Sequence, residues 1–114
     1  MNDLENRCLN YAVSVRKFIL QCQKNIPNYE DCKQVARSSG SIGANYIEAN
    51  DSLGDKDKVK RLKISRKEAK ETIYWLTIMK ETNPEFRTTI EELINEANEL
   101  RNILSSIINK LEKH

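Results

Sequence analysis

Apolar residues recur every three or four positions through most of the chain, and this spacing most constrains how the chain can fold. In the first segment they follow a 4-3-4-3-4 order: Leu4, Cys8, Tyr11, Val15, Phe18 and Cys22. In the last they follow a 3-4-3-4-3-4 order: Ile90, Leu93, Ala97, Leu100, Leu104, Ile107 and Leu111. A repeat of about 3.5 residues is typical of α-helices that cross at a shallow angle. No segment alternates as a β-strand does.

Three interruptions, at residues 26–28, 52–54 and 82–84, divide the chain into four such segments, and each contains a Pro or a Gly. Short connections make sequential helices run antiparallel. The sequence therefore predicts an all-α, antiparallel up-down-up-down four-helix bundle. We expect a single domain over residues 1–114 with helices at about 3–26, 29–51, 55–82 and 85–112.

The second predicted helix contains Gly and Ser where strong helix formers are expected. A glycine inside a helix costs about 1 kcal/mol relative to alanine. Small residues such as Gly40, Gly43 and Ala44 let a neighbouring helix approach closely, which offsets that loss. A phosphate-binding loop is disfavoured because the run lacks the G-x-x-x-x-G-K-[ST] pattern and no strand precedes it.

Composition narrows the cellular setting. The chain has no apolar run long enough to span a membrane, and its first residues do not resemble a signal peptide. We therefore expect a cytoplasmic protein. Its three cysteines include no C-x-x-C pair, so they are interpreted as reduced, buried residues.

Catalytic chemistry has few candidates in this sequence. The single histidine is His114, so the usual general base and zinc ligand are lacking elsewhere. The sequence predicts no catalytic residue, no metal site and no cofactor, and argues against an enzyme. Arg66 lies at the edge of a predicted buried stripe, so its head group needs either an acidic partner, for which Glu48 and Glu71 are candidates, or a route to solvent.

Two predicted helices carry a second apolar face beyond the stripe that a bundle needs. Several aligned apolar residues outside a core usually mark a contact surface, although a wide core with a few stray surface residues would give the same pattern. We interpret them as candidates for a subunit interface: Leu9, Val13, Leu20, Ile64, Trp75 and Ile78.

Charge is distributed unevenly along the chain, although the net charge is only +2. Residues 55–70 contain eight bases and three acids, whereas residues 81–114 contain seven acids and four bases. Helical spacing places five of these lysines on one face, with an aromatic residue one turn further on: Lys56, Lys60, Lys63, Lys67, Lys70 and Tyr74. This face, the lysine ridge, could follow a phosphate backbone while Tyr74 stacks on a base. An ordinary solvated face, or a contact with the acidic fourth helix of another subunit, would also explain it.

Two stretches of the chain resemble a known family. They are Ser41-Ile42-Gly43-Ala44-Asn45-Tyr46-Ile47-Glu48-Ala49 and Lys63-Ile64-Ser65-Arg66-Lys67-Glu68-Ala69-Lys70-Glu71-Thr72-Ile73-Tyr74-Trp75-Leu76. They are similar to the bacterial four helix bundle proteins, also called 23S rRNA intervening-sequence proteins. The likeness is detailed over about forty residues and extends in length and helix layout to the whole chain.

The resemblance implies a cytoplasmic bacterial bundle that assembles as a homopentamer. Some members are encoded within insertions in large-subunit rRNA genes, and most have no established activity. A more distant relative by fold is the accessory protein of diversity-generating retroelements, a basic pentamer that partners a reverse transcriptase and nucleic acid. The partners to expect are therefore other copies of this chain, RNA or DNA, or a reverse-transcriptase-like protein.

Overall fold

The computed structural model describes residues 1–113, which form four α-helices with short connections. They are α1 (Asp3–Ile19), α2 (Ile26–Asn50), α3 (Asp55–Thr82) and α4 (Arg87–Glu112), and a 3-10 turn at Pro84–Phe86 precedes α4. No strand occurs among these residues. The architecture is the all-α, antiparallel up-down-up-down bundle that the apolar spacing predicted, with extents of 47 × 22 × 20 Å. His114 lies outside the described residues.

The core runs along the bundle axis and takes one stripe from each helix. From α1 and α4 it takes most of the residues that the 3.5-residue repeat singled out, although Leu4, Ile107 and Leu111 are only partly buried. Between α2 and α3 the buried surface is more polar. Ser65 Oγ donates to the Ile42 carbonyl oxygen at 2.7 Å, and Thr72 Oγ1 donates to Ser38 Oγ at 2.8 Å. These bonds satisfy hydroxyls that would otherwise be costly to bury.

The first helix is shorter than predicted, ending at Ile19 rather than near residue 26. The apolar spacing continues past the helix because the connection folds back onto the core and buries Cys22. The second helix begins at Ile26 rather than near residue 29, because its cap is Asn25, whose side chain accepts the Asn28 backbone N–H at 2.9 Å. Pro27 therefore lies in the first turn of α2, where its missing N–H costs nothing, and does not interrupt a helix there.

A reciprocal amide pair at one end of the bundle joins Asn28, in the first turn of α2, to Asn83, directly after α3. Asn28 Nδ2 donates to Asn83 Oδ1, and Asn83 Nδ2 donates to Asn28 Oδ1, both at 2.9 Å. The same two amides also donate to the carbonyl oxygens of Gln23 and Met79. Both side chains are buried, so the α1–α2 connection is fastened to the end of α3.

The small residues of α2 allow α1 to approach closely, as predicted. A methyl group added at Gly43 would lie 3.0 Å from the Cβ of Cys8. At Gly40 the nearest atom is instead Nη2 of Arg16, also at 3.0 Å. That guanidinium donates to the Ala36 carbonyl oxygen at 3.0 Å. Close contact between α1 and α2 thus depends most on Gly43.

A candidate nucleic-acid interface on α3

The lysine ridge occupies the face of α3 that points away from the core. At about 100° per residue its six members fall within an arc of about 80°. The buried residues Leu62, Ser65, Thr72 and Leu76 lie on the opposite side of the helix. All six ridge side chains are exposed, and the five lysines extend over about 21 Å of helix. The sequence therefore placed the ridge correctly on the surface.

Helix electrostatics do not account for lysines at the start of α3. Cations are disfavoured in the first turn of a helix by the macrodipole, and Asp55 and Asp57 supply the favourable charge there. Lys63 Nζ forms an ion pair with Glu112 Oε2 at 3.0 Å, and it is the one ridge lysine with an ion pair inside residues 1–113. Most of the positive charge is therefore directed to solvent.

A shallow cleft lies beside the N-terminal half of the ridge. It has a volume of about 500 Å³ and separates the start of α3 from the end of α4. Its apolar floor is formed by Val59 and Leu111, and its rim carries three ridge lysines and two acids: Lys56, Lys60, Lys63, Asp55 and Glu112. This end of the ridge therefore combines positive charge with a concave surface.

Tyr74 ends the ridge as an exposed aromatic ring. Its side chain is 61% exposed, and its ring meets that of Trp75 edge to face, with centroids 5.2 Å apart and planes at 76°. Trp75 packs partly against the core. Trp75 therefore contacts the Tyr74 ring on one side, and the exposed part of the ring is available for stacking.

The carboxylates near the ridge are used within the bundle. Arg37 Nη1 donates to Glu68 Oε2 at 2.8 Å, and its Nη2 donates to Glu71 Oε2 at 2.7 Å. Hydrogen bonds from Glu68 and from Arg37 lower the pKa of Glu71. Arg66 bonds neither candidate partner; its Nη1 donates to Ser105 Oγ on α4 at 3.4 Å. Of the alternatives left open for Arg66, a pairing with Glu71 does not form, because Arg66 reaches α4 while Glu71 binds Arg37 of α2.

The candidate interface residues fall into two groups in the structure. Leu9 and Val13 are exposed on α1 and Leu20 directly after it, whereas the three on α3 are half-buried: Ile64, Trp75 and Ile78. The apolar spacing did not single out three further exposed apolar side chains, all on α2: Ile26, Tyr29 and Ile47.

Within residues 1–113, no group of three or more His, Cys, Asp and Glu side chains is placed to hold a metal ion. None of the four helices combines the length and apolar character needed to cross a membrane.

Comparison with known proteins places this bundle among its relatives. The family model described as 23S rRNA-intervening sequence protein matches residues 4–106. The chain belongs to this family. A similar solved structure is that of a protein of unknown function from the S23 ribosomal protein family of Bacteroides thetaiotaomicron, with a TM-score of 0.81 and 31% identity. The match covers 92% of this intervening-sequence protein and 97% of that chain. No curated protein matches significantly.

Proposed function

We propose that this intervening-sequence protein is a cytoplasmic, non-enzymatic homo-oligomer that binds nucleic acid through the lysine ridge of α3. The observation that supports this most is the exposure of all six ridge side chains on one straight face, opposite the core. A face of this kind presents positive charge at intervals of about 5 Å, which suits the repeated phosphates of a nucleic acid.

Binding through the lysine ridge predicts how steeply the affinity for nucleic acid falls with salt concentration. If all five ridge lysines neutralise phosphates, the slope of log K against log salt is about −3.5 for a single strand and about −4.5 for duplex DNA. Tyr74 adds stacking only where bases are unpaired. Binding therefore weakens steeply with salt, and loss of Tyr74 reduces single-strand binding more than duplex binding.

Fluorescence anisotropy with labelled RNA and DNA oligonucleotides, over a salt series, tests the ridge directly. The variant K60E/K63E/K67E reverses three charges on the ridge, and we expect it to abolish binding at moderate salt. The matched control K17E/K24E/K33E reverses three exposed charges on α1, the α1–α2 connection and α2, and should keep most of the affinity. Equal losses in both variants, or salt-insensitive binding, would overturn the assignment to the ridge.

Self-association is the second part of the proposal. The contact surface that we favour is formed by Leu9 and Val13 on α1 and Leu20 directly after it. The half-buried side chains on α3 would contribute through their exposed edges: Ile64, Trp75 and Ile78. The family resemblance gives five as the number of copies. Sedimentation velocity should then give about 66 kDa, five times the 13.2 kDa of one chain, and L9E/V13E should reduce it. A monomeric mass at micromolar concentration contradicts this part.

An alternative is a structural or protein-interaction module in which the ridge contacts a protein. The exposed acids of α4, such as Glu91, Glu92 and Glu99, are complementary to it, and the Lys63–Glu112 pair joins the two helices within one chain. A reverse-transcriptase-like partner belongs to this class too. An oligomer that dissociates when the ridge is reversed, with no nucleic acid bound by the native chain, would favour this alternative.

A further inference from the structure

The corner where α1 turns into α2 brings two cysteines together. Cys22 lies in the connection after α1 and is buried, whereas Cys32 lies in the second turn of α2 and is half-buried. Both line one groove of about 890 Å³ at the surface of this corner. The groove gives solutes access to a pair of thiols that are ten residues apart in the sequence.

The two thiols are close enough to affect each other's ionisation. Burial raises the pKa of Cys22 to about 12, with the neighbouring Cys32 contributing in the same direction. Burial also raises the pKa of Cys32, and a hydrogen bond from Cys22 opposes that rise. Cys8 provides the contrast, because it is buried against Gly43 and no second thiol influences it.

We propose that Cys22 and Cys32 form a thiol–disulfide exchange site that accepts anionic low-molecular-weight disulfides. The Cys32 thiolate attacks one sulfur of the small disulfide, forming a mixed disulfide and releasing one small thiolate. The Cys22 thiolate then attacks the Cys32 sulfur, forming the Cys22–Cys32 bond and releasing the second small thiolate. The two protein protons are transferred to the released thiolates, so the protein loses two hydrogens and one small disulfide becomes two thiols.

The local structure suits each participant in this exchange. Cys32 is the more exposed thiol and therefore the first to react. Lys24 and Lys33 line the groove together with one acid, Glu30, and they attract a disulfide that carries carboxylates. Two further acids act on the thiols, Asp31 on Cys32 and Glu85 on Cys22, and oppose their ionisation. Cys22 lies in the connection, outside the helices, where the backbone can adjust to the geometry of a disulfide more easily than within a helix.

Glutathione disulfide is the probe that tests the exchange. The full-length reduced protein is incubated over a series of glutathione ratios, quenched with acid, alkylated and mapped by mass spectrometry. We expect an internal Cys22–Cys32 disulfide in the native chain and in C8S, and a single glutathione adduct on Cys32 in C22S. A stable adduct on the native chain without ring closure, a bond to Cys8, or disulfide-linked dimers would each overturn the proposal.

Two further measurements separate a formed disulfide from surface modification. The bond closes a loop of eleven residues, which should lower the unfolding equilibrium constant by about a hundredfold relative to the reduced chain. The rate of exchange should rise about tenfold per pH unit from pH 7 to 9, because the thiolate fraction rises with pH until the raised pKa of Cys32 is reached. A pH-independent rate, or equal stability of both forms, contradicts the assignment. C22A/C32A serves as the unreactive control.

Discussion

The contact between α2 and α3 differs sharply from the contact between α1 and α4. Between α2 and α3, aliphatic residues alternate with satisfied hydroxyls, and Arg37 ties two carboxylates of α3 from the rim. Between α1 and α4 lies an open groove of about 640 Å³, crossed by the Arg7 side chain and by the Tyr11 hydroxyl bond to the Leu93 carbonyl oxygen. We call the contact between α2 and α3 the sealed contact, and the contact between α1 and α4 the bridged contact.

This difference assigns separate roles to parts of the bundle. The proposed nucleic-acid surface lies on α3, whose opposite face packs into the core. This packing holds in place the helix that carries the lysine ridge. The exposed Leu9, Val13 and Leu20 lie on α1 and the connection after it, and the dithiol lies where that connection meets α2. The groove between α1 and α4 shows that α1 is packed more lightly than α3. We expect α1 to be the helix that adjusts when the protein meets a partner.

Removing bulk from the sealed contact should have the largest effect. Ile42 is completely buried between α2 and α3, and I42A should lower the free energy of unfolding by about 2–5 kcal/mol through lost burial and a residual cavity. Urea denaturation measures this. L20A removes a side chain that is 84% exposed and should change stability by less than about 0.5 kcal/mol. L20A therefore serves as the exposed control, and an equally small loss in I42A would show that the contact between α2 and α3 is not packed as described.

The two arginine bridges provide a matched pair. R37M leaves Glu68, which is 7% exposed, as a buried carboxylate without its guanidinium, so we expect a loss of about 1–3 kcal/mol. R7M removes bonds to Glu96 and Glu99 at a more open site, where such pairs contribute about 0.2–1 kcal/mol. In R7M, hydrogen exchange should accelerate mainly in α1, whereas in R37M it should accelerate across α2 and α3. The reverse pattern would exchange the roles of the two contacts.

Alanine at the two helical glycines tests how closely α1 and α2 must approach. G40A gains helix propensity, and the Arg16 guanidinium can swing aside, so stability should rise or fall by no more than about 0.5 kcal/mol. G43A meets the Cβ of Cys8 at 3.0 Å, so α1 must shift, and we expect a net loss of about 1 kcal/mol. Thermal unfolding of the two variants in parallel resolves the sign. A stabilised G43A would show that α1 yields at no cost.

Acidification should weaken the contact between α1 and α4, and its expected effect on stability is the smallest of these predictions. The hydrogen bond from Arg7 lowers the pKa of Glu96 below its ordinary value of 4.5. A lowered pKa in the folded state stabilises the protein above the ordinary value, and this stabilisation is lost as the pH falls through the lowered one. The stability difference between the native chain and R7M should therefore be complete at pH 7 and shrink by a few tenths of a kcal/mol near pH 3. A constant difference would exclude this role for Glu96.

Much of the fold follows from periodicity, because a repeat of about 3.5 residues leaves few alternatives to helices crossing at shallow angles. The same periodicity places the lysine ridge on the surface, since residues opposite a buried stripe face solvent. The spacing of apolar residues does not predict how buried polar groups are paired. Nothing in the spacing of Asn28 and Asn83 indicates that they bond each other across 55 positions.

The connection between α1 and α2 was the least predictable segment, for a physical reason. Cys22 continues the apolar spacing of a helix that has already ended at Ile19, since a folded-back connection can bury the same side chain as another helical turn. The proximity of Cys22 and Cys32 depends on that fold-back and on the true start of α2. Both thiols were therefore interpreted as ordinary buried residues.

The Asn28–Asn83 pair has a consequence for motion. It couples the first turn of α2 to the residue directly after α3 through bonds that carry no charge, so neither salt nor acid weakens them. The only ion pairs of α1 within the described chain are those of Arg7, more than two turns from that end. Rising ionic strength should therefore weaken the contacts of the N-terminal half of α1 first, while the other end of the helix stays bound.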